Sequence, residues 1–287
     1  MSWNKVTLVG VGLLGGSLGL ALRTRKLAET VVGWVRREAS IGEATQAGAV
    51  DAGTLDVREA VEGADLVLVC TPVSQMVSLV EQCRPYLRDD ALITDVGSVK
   101  RTVVREMEAL LSDGTASFVG SHPMAGGEKS GVAAASADLF EGATCVITPT
   151  RRTSDSARER IGRFWTSIGA ELLELSPREH DEWVGWSSHL PHIVAAGLAK
   201  LVLNPALDPR LPQLCAGGFR DTTRIAAGEV TMWRDILLQN GDVAVAAIEA
   251  YLEELEALKV LIAEQDSTHL TAYLQEARER RVAWRSH

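Results

Sequence analysis

The sequence of 287 residues predicts an α/β fold, a doubly wound and mostly parallel sheet followed by an all-helical domain. Short apolar runs alternate with helical patterns up to Leu175, and this alternation is typical of a sheet covered by helices on both faces. The apolar runs are continuous, which indicates strands that are buried on both faces. Only helical patterns follow Ser176, so we expect a first domain at 1–176 and a second at 177–287.

Seven apolar runs are predicted to be strands: "KVTLVG", "TVVGWV", "ADLVLVC", "ALITDVG", "SFVG", "TCVITPT" and "AELLEL". Helical spacing of apolar residues follows several of them, as in "VSQMVSLVEQC" and "KRTVVREMEALL". The second domain contains three long helical patterns, "EHDEWVGWSSHLPHIVAAGLAKLVL", "VAVAAIEAYLEELEALKVLIAEQD" and "STHLTAYLQEARERRVAW". Their apolar faces exceed what one small domain buries, so we expect a homodimer through the helical domain.

Composition excludes several classes of partner. Apolar residues make up 46% and charged residues 23%, and the net charge of −9 comes without a basic run, so nucleic acid is not an expected partner. No run of about 20 apolar residues exists to cross a membrane, and no secretory leader is evident. The four cysteines lack metal-ligand spacing, so we expect reduced thiols, no metal site and a cytoplasmic location.

A glycine-rich turn follows the first predicted strand and opens a helix. Gly10, Gly12 and Gly15 form G-x-G-x-x-G, with Leu13 and Leu14 between the last two glycines. The first glycine allows a tight turn, the second lets the backbone approach a pyrophosphate, and the third lets helix and strand pack closely. Free N–H groups and the helix dipole then favour the diphosphate. We therefore expect this turn to bind a dinucleotide in a Rossmann-like domain.

The end of the second strand indicates which dinucleotide is bound. An acidic residue about 20 residues beyond the glycines usually binds the ribose 2′-OH of NAD. Here the strand ends in Trp34-Val35 and is followed by Arg36 and Arg37. A guanidinium group suits a 2′-phosphate, being planar, charged and bidentate. We expect Arg36 and Arg37 to bind NADP, with NAD possible if they are surface residues or if Glu38 takes the acidic role.

Three segments are expected where the nicotinamide would lie, at the carboxyl ends of the strands. Thr71-Pro72 turns the chain over the cofactor, and Ser98 precedes a helix, where it could cap the helix, contact substrate, or do both. His122 stands before Pro123, which favours an extended conformation, in a stretch too rich in glycine to be core. A neutral imidazole there could take a proton from a substrate hydroxyl as hydride leaves.

The motifs together resemble those of a known family. "GVGLLGGSLG", "DVGSVK", "GSHPMAGGEKSG", "SSHLPH" and "GGFRDTTRIAAGEVTMWRDI" occur in the order found in the prephenate/arogenate dehydrogenases of tyrosine biosynthesis. The resemblance implies a Rossmann domain followed by a helical dimerisation domain. It also implies oxidative decarboxylation of a cyclohexadienyl substrate, prephenate or arogenate, with loss of hydride and CO2. The arginine pair is similar to that of NADP-linked arogenate enzymes, which favours arogenate.

The resemblance also assigns roles to residues. It implies that His122 takes the proton of the ring hydroxyl, and that Ser98 contacts the same hydroxyl near the nicotinamide. His192 would line the substrate pocket, Arg224 would pair with a substrate carboxylate, and Trp233 would border the pocket or belong to interface core. His189 is expected to cap or pack within its helix.

The sequence also contains further polar candidates, and two other functions are alternatives. His180-Asp181 is expected to be an exposed pair at a helix start, outside the site. Glu128, Arg220 and Asp221 are candidates for an ionic cluster with Arg224. One alternative function is that of a β-hydroxyacid dehydrogenase, although Lys200 and Asn204 have the wrong spacing for that class. The other is that of a non-catalytic NADP-binding sensor, against which the presence of His122, Ser98 and Arg224 argues.

Overall fold

The computed structural model describes residues 2–114, 116–127 and 129–284. Over this part of the chain, the strands are β1 (Trp3–Val9), β2 (Ala28–Trp34), β3 (Ala52–Thr54), β4 (Leu66–Val69), β5 (Leu92–Asp95), β6 (Ser117–Pro123), β7 (Thr144–Thr148) and β8 (Glu171–Glu174). The helices are α1 (Leu13–Thr24), α2 (Glu38–Gln46), α3 (Val57–Val61), α4 (Val73–Cys83), α5 (Arg101–Leu110), α6 (Asp155–Ser167), α7 (Pro177–Val184), α8 (Leu190–Val202), α9 (Gly217–Thr223), α10 (Val230–Gln239), α11 (Gly241–Ala263) and α12 (Ser267–Ala283).

The eight strands that the structure describes form one sheet in the order β3-β2-β1-β4-β5-β6-β7-β8. Neighbouring strands run parallel except β6 and β7, which are antiparallel. The predicted doubly wound, mostly parallel sheet is therefore confirmed. The chain leaves β1 toward β2 on one side and reaches β4 on the other, so a ligand crevice is expected between the ends of β1 and β4.

Two details of the sheet differ from the predicted strands. β3 has only three residues, too few to produce a recognisable apolar run. β6 extends beyond "SFVG" through Pro123, because its last four residues pair with β7, with His122 opposite Val146. His122 is therefore the penultimate residue of a strand and not part of a loop.

The chain divides into two compact units, Met1–Trp183 with Gly228–Gln239 and Val184–Ala227 with Asn240–His287. The first unit contains the sheet. Successive residues of its central strands enter different apolar clusters: Leu66 and Leu68 belong to one, Val67 and Val69 to the other. Because side chains alternate across a strand, the two clusters lie on opposite faces of the sheet. Burial of both faces explains why the strands read as continuous apolar runs.

The second unit is helical, as predicted. A π-helical turn at Gly185–His189 precedes α8. A side chain at Gly185 would meet Val243 of α11 at 2.3 Å, so glycine is required where these backbones approach. Within α11 and α12 the structure buries only Ala244 and Ala247. No described helix is long and apolar enough to cross a membrane.

Candidate active site

The glycine turn has the geometry that dinucleotide binding requires. Gly10 adopts φ +91°, and a side chain there would meet the Thr71 methyl group at 2.8 Å. A Cβ at Gly15 would lie 2.1 Å from the Gly10 carbonyl oxygen, so only glycine lets α1 start this close to β1. Around Gly12, by contrast, a Cβ would meet nothing within 4 Å. The turn is thus tight at its first and third glycines and open at its second.

The open side of this turn fits a pyrophosphate. Gly12 is the N-cap of α1 and has no side chain to cap the helix, so the first N–H groups of α1 can serve an anion. The Thr71 hydroxyl, which follows β4 beside Gly10, is buried without a hydrogen-bond partner among the described atoms. A buried hydroxyl without a partner costs about 1–3 kcal/mol, which a ligand can recover. Leu13 and Leu14 form the first residues of the helix, and Pro72 is the N-cap of α4.

Arg36 and Arg37 are exposed directly beyond the end of β2. Arg37 is the N-cap of α2, donates to the Ser40 hydroxyl at 3.3 Å and lies 4.0 Å from Glu43. Val35 stands where NAD-binding folds usually place an acidic residue, and it is only 7% exposed. Both guanidinium groups therefore lie at this exposed rim, and Arg37 contacts Ser40 and Glu43 of α2.

Asp95 organises the loop that carries Ser98. Its carboxylate accepts hydrogen bonds from the backbone N–H of Gly97 at 2.8 Å and of Ser121 at 3.0 Å, and it forms a fully buried ion pair with Lys100. One carboxylate thereby connects the loop after β5 to the residue before His122. Ser98 is partly buried on this loop, and it does not cap α5, whose first helical residue is Arg101.

A chain of hydrogen bonds leads away from His122. Its Nδ1 lies 2.8 Å from Nε2 of His180 on α7, and the two rings meet edge to face. His180 Nδ1 in turn lies 2.8 Å from Oδ1 of Asp181. The Asp181 carboxylate also accepts from the backbone N–H of Lys100 at 2.7 Å and of Arg101 at 2.9 Å, so it caps α5 from another element.

The expectation that His180-Asp181 is an exposed pair is wrong. His180 is completely buried and Asp181 is 1% exposed. Their contact with His122 spans 58 residues of sequence, so no local pattern indicated it. The available signal for burial was the spacing of His180 and Val184, four residues apart on one helix face, of which Val184 is 4% exposed.

Burial sets the charge states in this chain of hydrogen bonds. It lowers the pKa of His180, an effect that the Lys100 ammonium reinforces and the hydrogen bond with Asp181 opposes. Burial alone would raise the pKa of Asp181, but hydrogen bonds from His180 and from the backbone N–H groups of Lys100 and Arg101 outweigh it and lower that pKa. At neutral pH His180 is therefore neutral and Asp181 ionised.

Trp233 lies on α10, which belongs to the first unit. It is partly buried and packs against the apolar cluster on one face of the sheet, together with the buried Ile236. Asp235 on the same helix accepts a hydrogen bond from Ser74 at the start of α4 and pairs with Arg234 at 2.6 Å. This contact fixes α10 beside the segment that follows Thr71-Pro72.

In the second unit, the structure brings His192 to the turn that contains Arg224. His192 is 6% exposed on α8; burial lowers its pKa, and a hydrogen bond with the backbone of Ile225 opposes that shift. Arg224 is exposed and begins the 3₁₀ turn Arg224–Ala227. His189 is buried, and its contact with the Asn240 amide at 3.3 Å joins it to the N-cap of α11, outside its own helix.

The predicted ionic cluster falls only in part within the described residues. Arg220 and Asp221 are exposed on α9, close in sequence to Arg224, whereas Glu128 lies outside the described residues. Among the described residues no group of three or more histidine, cysteine, aspartate or glutamate side chains could hold a metal ion.

A Rossmann sheet, an open glycine turn and a histidine at the same edge of the sheet define a nicotinamide-dependent dehydrogenase. Two family models match the chain: "Prephenate dehydrogenase, nucleotide-binding domain" at residues 18–174, and "Prephenate dehydrogenase, dimerization domain" at residues 176–276. The chain therefore belongs to the prephenate dehydrogenase family, as its motifs predict.

Individual relatives agree with this assignment. A prephenate dehydrogenase of Bacillus subtilis is 36% identical over 280 residues, which cover 97% of this chain and 75% of the relative. The crystal structure of prephenate dehydrogenase from A. aeolicus with hydroxyphenyl propionate and NAD+ is 35% identical, with a TM-score of 0.91 and 98% of each chain covered. Synechocystis arogenate dehydrogenase is 29% identical, with a TM-score of 0.83, and covers 96% of this chain and 98% of its own.

Proposed function

We propose that this protein oxidatively decarboxylates a cyclohexadienyl substrate, arogenate in preference to prephenate, with NADP+ as the preferred hydride acceptor. The observation that carries the proposal is the position of His122. It lies at the carboxyl end of β6, on the same edge of the sheet as the glycine turn, with its ring held through His180 and Asp181. A base held there can act on a hydroxyl group beside a bound nicotinamide.

In the proposed reaction His122 acts first as a base and then as an acid. A bound nicotinamide would supply the acceptor for hydride from the ring carbon that bears the hydroxyl. His122 takes the hydroxyl proton as that carbon becomes a carbonyl, which stabilises the developing product. The carbon–carbon bond to the ring carboxylate then breaks, and its electron pair makes the ring aromatic as CO2 leaves. His122 can return its proton to the phenolate oxygen, so the reaction needs no other base or acid.

Orientation is the remaining task of the protein, since aromatisation supplies much of the driving force. We propose that Ser98 hydrogen-bonds the ring hydroxyl, a role that the loop fixed by Asp95 supports. Arg224 suits a substrate carboxylate, because its planar guanidinium group can donate two parallel hydrogen bonds. His192 and Trp233 are proposed to contact the substrate as well.

The preference for NADP+ rests on the end of β2. No carboxylate is available at Val35 for the ribose 2′-OH, and two exposed guanidinium groups follow it. Charge-assisted hydrogen bonds are worth about 1.5–3 kcal/mol, and exposure reduces that figure, so we expect a preference of roughly 10–100-fold. Among the relatives, the A. aeolicus enzyme was crystallised with NAD+. NADP+ preference would therefore be a property of this chain's own arginines.

The substrate preference follows from the same arginine pair, which resembles that of NADP-linked arogenate enzymes. The relatives are named for both substrates. Arogenate carries an ammonium group and a hydrogen where prephenate carries a keto group, and the two share the ring and its carboxylate.

We also propose a homodimer through the helical unit. α11 and α12 expose large apolar side chains along their length, among them Leu252, Ile262 and Leu274, each more than half exposed. Exposed apolar surface of this extent marks an interaction site on a soluble protein. The match of residues 176–276 to a dimerisation domain supports a second copy of the chain as the partner.

Turnover tests the proposal directly. The purified protein is mixed with arogenate or prephenate and with NADP+ or NAD+, and the absorbance of the reduced nicotinamide is followed. We expect kcat/KM to be highest for arogenate with NADP+. Absence of turnover in all four combinations would overturn the proposed reaction, and equal kcat/KM for the two substrates would remove the argument for arogenate.

A charge-removal pair tests the cofactor preference. Arg36→Ala with Arg37→Ala should lower kcat/KM for NADP+ by about 10–100-fold and leave NAD+ within about 3-fold, and the loss should shrink as salt rises. Arg163→Ala is the matched control, because Arg163 is an exposed arginine of the same unit paired with Glu159. Equal losses for both cofactors, or wild-type protein that uses NAD+ as well as NADP+, would contradict the proposed role of Arg36 and Arg37.

A further inference from the structure

The hydrogen bonds behind His122 fix which atoms carry protons. Asp181 accepts two backbone N–H groups, and its lowered pKa keeps it ionised, so it can only accept from His180 Nδ1. His180 therefore has its proton on Nδ1. Because burial keeps His180 neutral, its Nε2 has a lone pair and accepts from His122 Nδ1.

Neutral His122 is thus held with its proton on Nδ1. Its Nε2 is then the basic atom of the ring. A neutral histidine without such partners distributes its proton over both nitrogens, so a ring left to itself would present a donor as well as an acceptor to the substrate. The hydrogen bonds from His122 to His180 and from His180 to Asp181 therefore fix one tautomer of His122 before the substrate binds.

We propose that His180 and Asp181 are positioning residues that hold His122 as the Nδ1–H tautomer and stabilise its imidazolium form. The inference rests on the proposed function, in which His122 is the base. When His122 Nε2 takes the hydroxyl proton, the Nδ1–H bond to His180 strengthens, and the Asp181 carboxylate balances the positive charge through His180. No proton leaves this chain of residues, so it is available to return to the product oxygen.

Other charged groups face this chain of residues and set the balance. Lys100 and Asp95 form a buried ion pair close to His180, and the Lys100 ammonium opposes a positive charge there. Asp95 partly offsets Lys100. Burial of His180 and the remaining effect of Lys100 outweigh Asp95 and favour keeping the proton on His122 over passing it to His180.

Two substitutions separate positioning from mere packing. His180→Gln can keep both contacts, because its amide NH2 can donate to Asp181 while its carbonyl accepts from His122. His180→Leu fills a similar volume without either contact. The matched control is His269→Gln: His269 also pairs with an aspartate, Asp266, at 2.6 Å, but it is 74% exposed on α12.

Kinetics of these variants give the first readout. We expect His180→Leu to lower kcat about 100-fold with KM changed less than about 3-fold, and to shift the acid limb of the kcat/KM profile downward, because the imidazolium form of His122 loses stabilisation. His180→Gln should retain kcat within about 10-fold, and His269→Gln should match the wild type. Equal losses in Gln and Leu with an unmoved acid limb would mean a packing role and overturn the proposal.

The tautomer itself gives the second readout and needs no turnover. Protein with 15N-labelled histidine, without cofactor or substrate, is examined by NMR, and the His122 signals are assigned from His122→Asn. We expect His122 to be protonated at Nδ1 and bare at Nε2 in the wild type and in His180→Gln. A wild-type His122 protonated at Nε2 would overturn the positioning role even if the enzyme turns over. The expected tautomer in a protein that uses neither substrate would instead contradict the proposed function alone.

Discussion

The two units differ in what they bury. The first unit buries polar chemistry: the Lys100–Asp95 ion pair and the His180–Asp181 pair are inaccessible to solvent, and each carboxylate also accepts backbone N–H groups. The second unit leaves large apolar side chains exposed along α11 and α12. Buried charges are tolerated only when their hydrogen bonds are satisfied, and exposed apolar stripes persist only when something covers them.

The difference teaches what each unit is built to do. Satisfied buried polar networks are rigid, so the first unit can hold His122, the proposed base, and Ser98 in fixed positions. The long helices of the second unit bury few side chains of their own, which supports the proposed association. Substitutions should accordingly affect catalysis in the first unit, substrate affinity at Arg224, and assembly in the long helices.

The largest effect is expected at His122. His122→Asn keeps a polar side chain and loses the base, so kcat should fall by about 10²–10⁴ while substrate affinity is nearly kept. Steady-state kinetics with arogenate and NADP+ measure both quantities. An unchanged kcat would show that His122 is structural. It would also contradict the assignment of the catalytic base to the first unit.

Arg224 should behave differently because it is proposed to bind and not to react. Arg224→Ala should raise KM by roughly 10–100-fold, the loss of one or two charge-assisted hydrogen bonds, with a smaller effect on kcat. Lys200→Ala on α8 of the same unit is the control for loss of a positive charge. If KM barely moves in Arg224→Ala, the substrate carboxylate is held elsewhere.

The first unit also shows how much of the fold and of the candidate site the sequence alone predicts. The glycine turn, most strands and the long helices were predicted because each is encoded within a few neighbouring residues. Ser98 follows β5 and His122 lies at the end of β6, and both could be selected because these two strands end at one edge of the sheet. By contrast, the contact of His180 with His122 depends on how α7 packs beside β6, and no local pattern encodes that packing.

Assembly should depend on the helices and not on the sheet. Leu252→Glu places a charge on the exposed apolar face of α11, and we expect the mass measured by light scattering at micromolar concentration to fall from two chains to one. Leu55→Glu alters a similarly exposed leucine of the first unit and should leave the mass unchanged. A wild-type protein that is already monomeric would remove the proposed homodimer.

The smallest expected effect is on the pH dependence of folding stability. The test compares one buried histidine from each unit. Burial lowers the pKa of both His180 and His192, so the unfolded chain binds protons that the folded chain does not. Stability is then fully present above the unfolded pKa of about 6.5 and is lost as pH falls below it. The pKa of Asp181 is also lowered, so its protonation reduces stability only below about pH 4, near its unfolded pKa.

Thermal unfolding between about pH 7.5 and pH 5 therefore isolates the histidines. We expect the fall in Tm over this range to be smaller in His180→Gln than in the wild type, because the variant lacks the buried imidazole that must take up a proton on unfolding. His192→Gln should give a smaller change, because His192 is 6% exposed whereas His180 is fully buried. The exposed His269 pairs with Asp266 in solvent, so His269→Gln should leave the pH dependence as it is. A fall in Tm that is the same in all three variants and in the wild type would show that neither buried histidine contributes to the acid sensitivity of the fold.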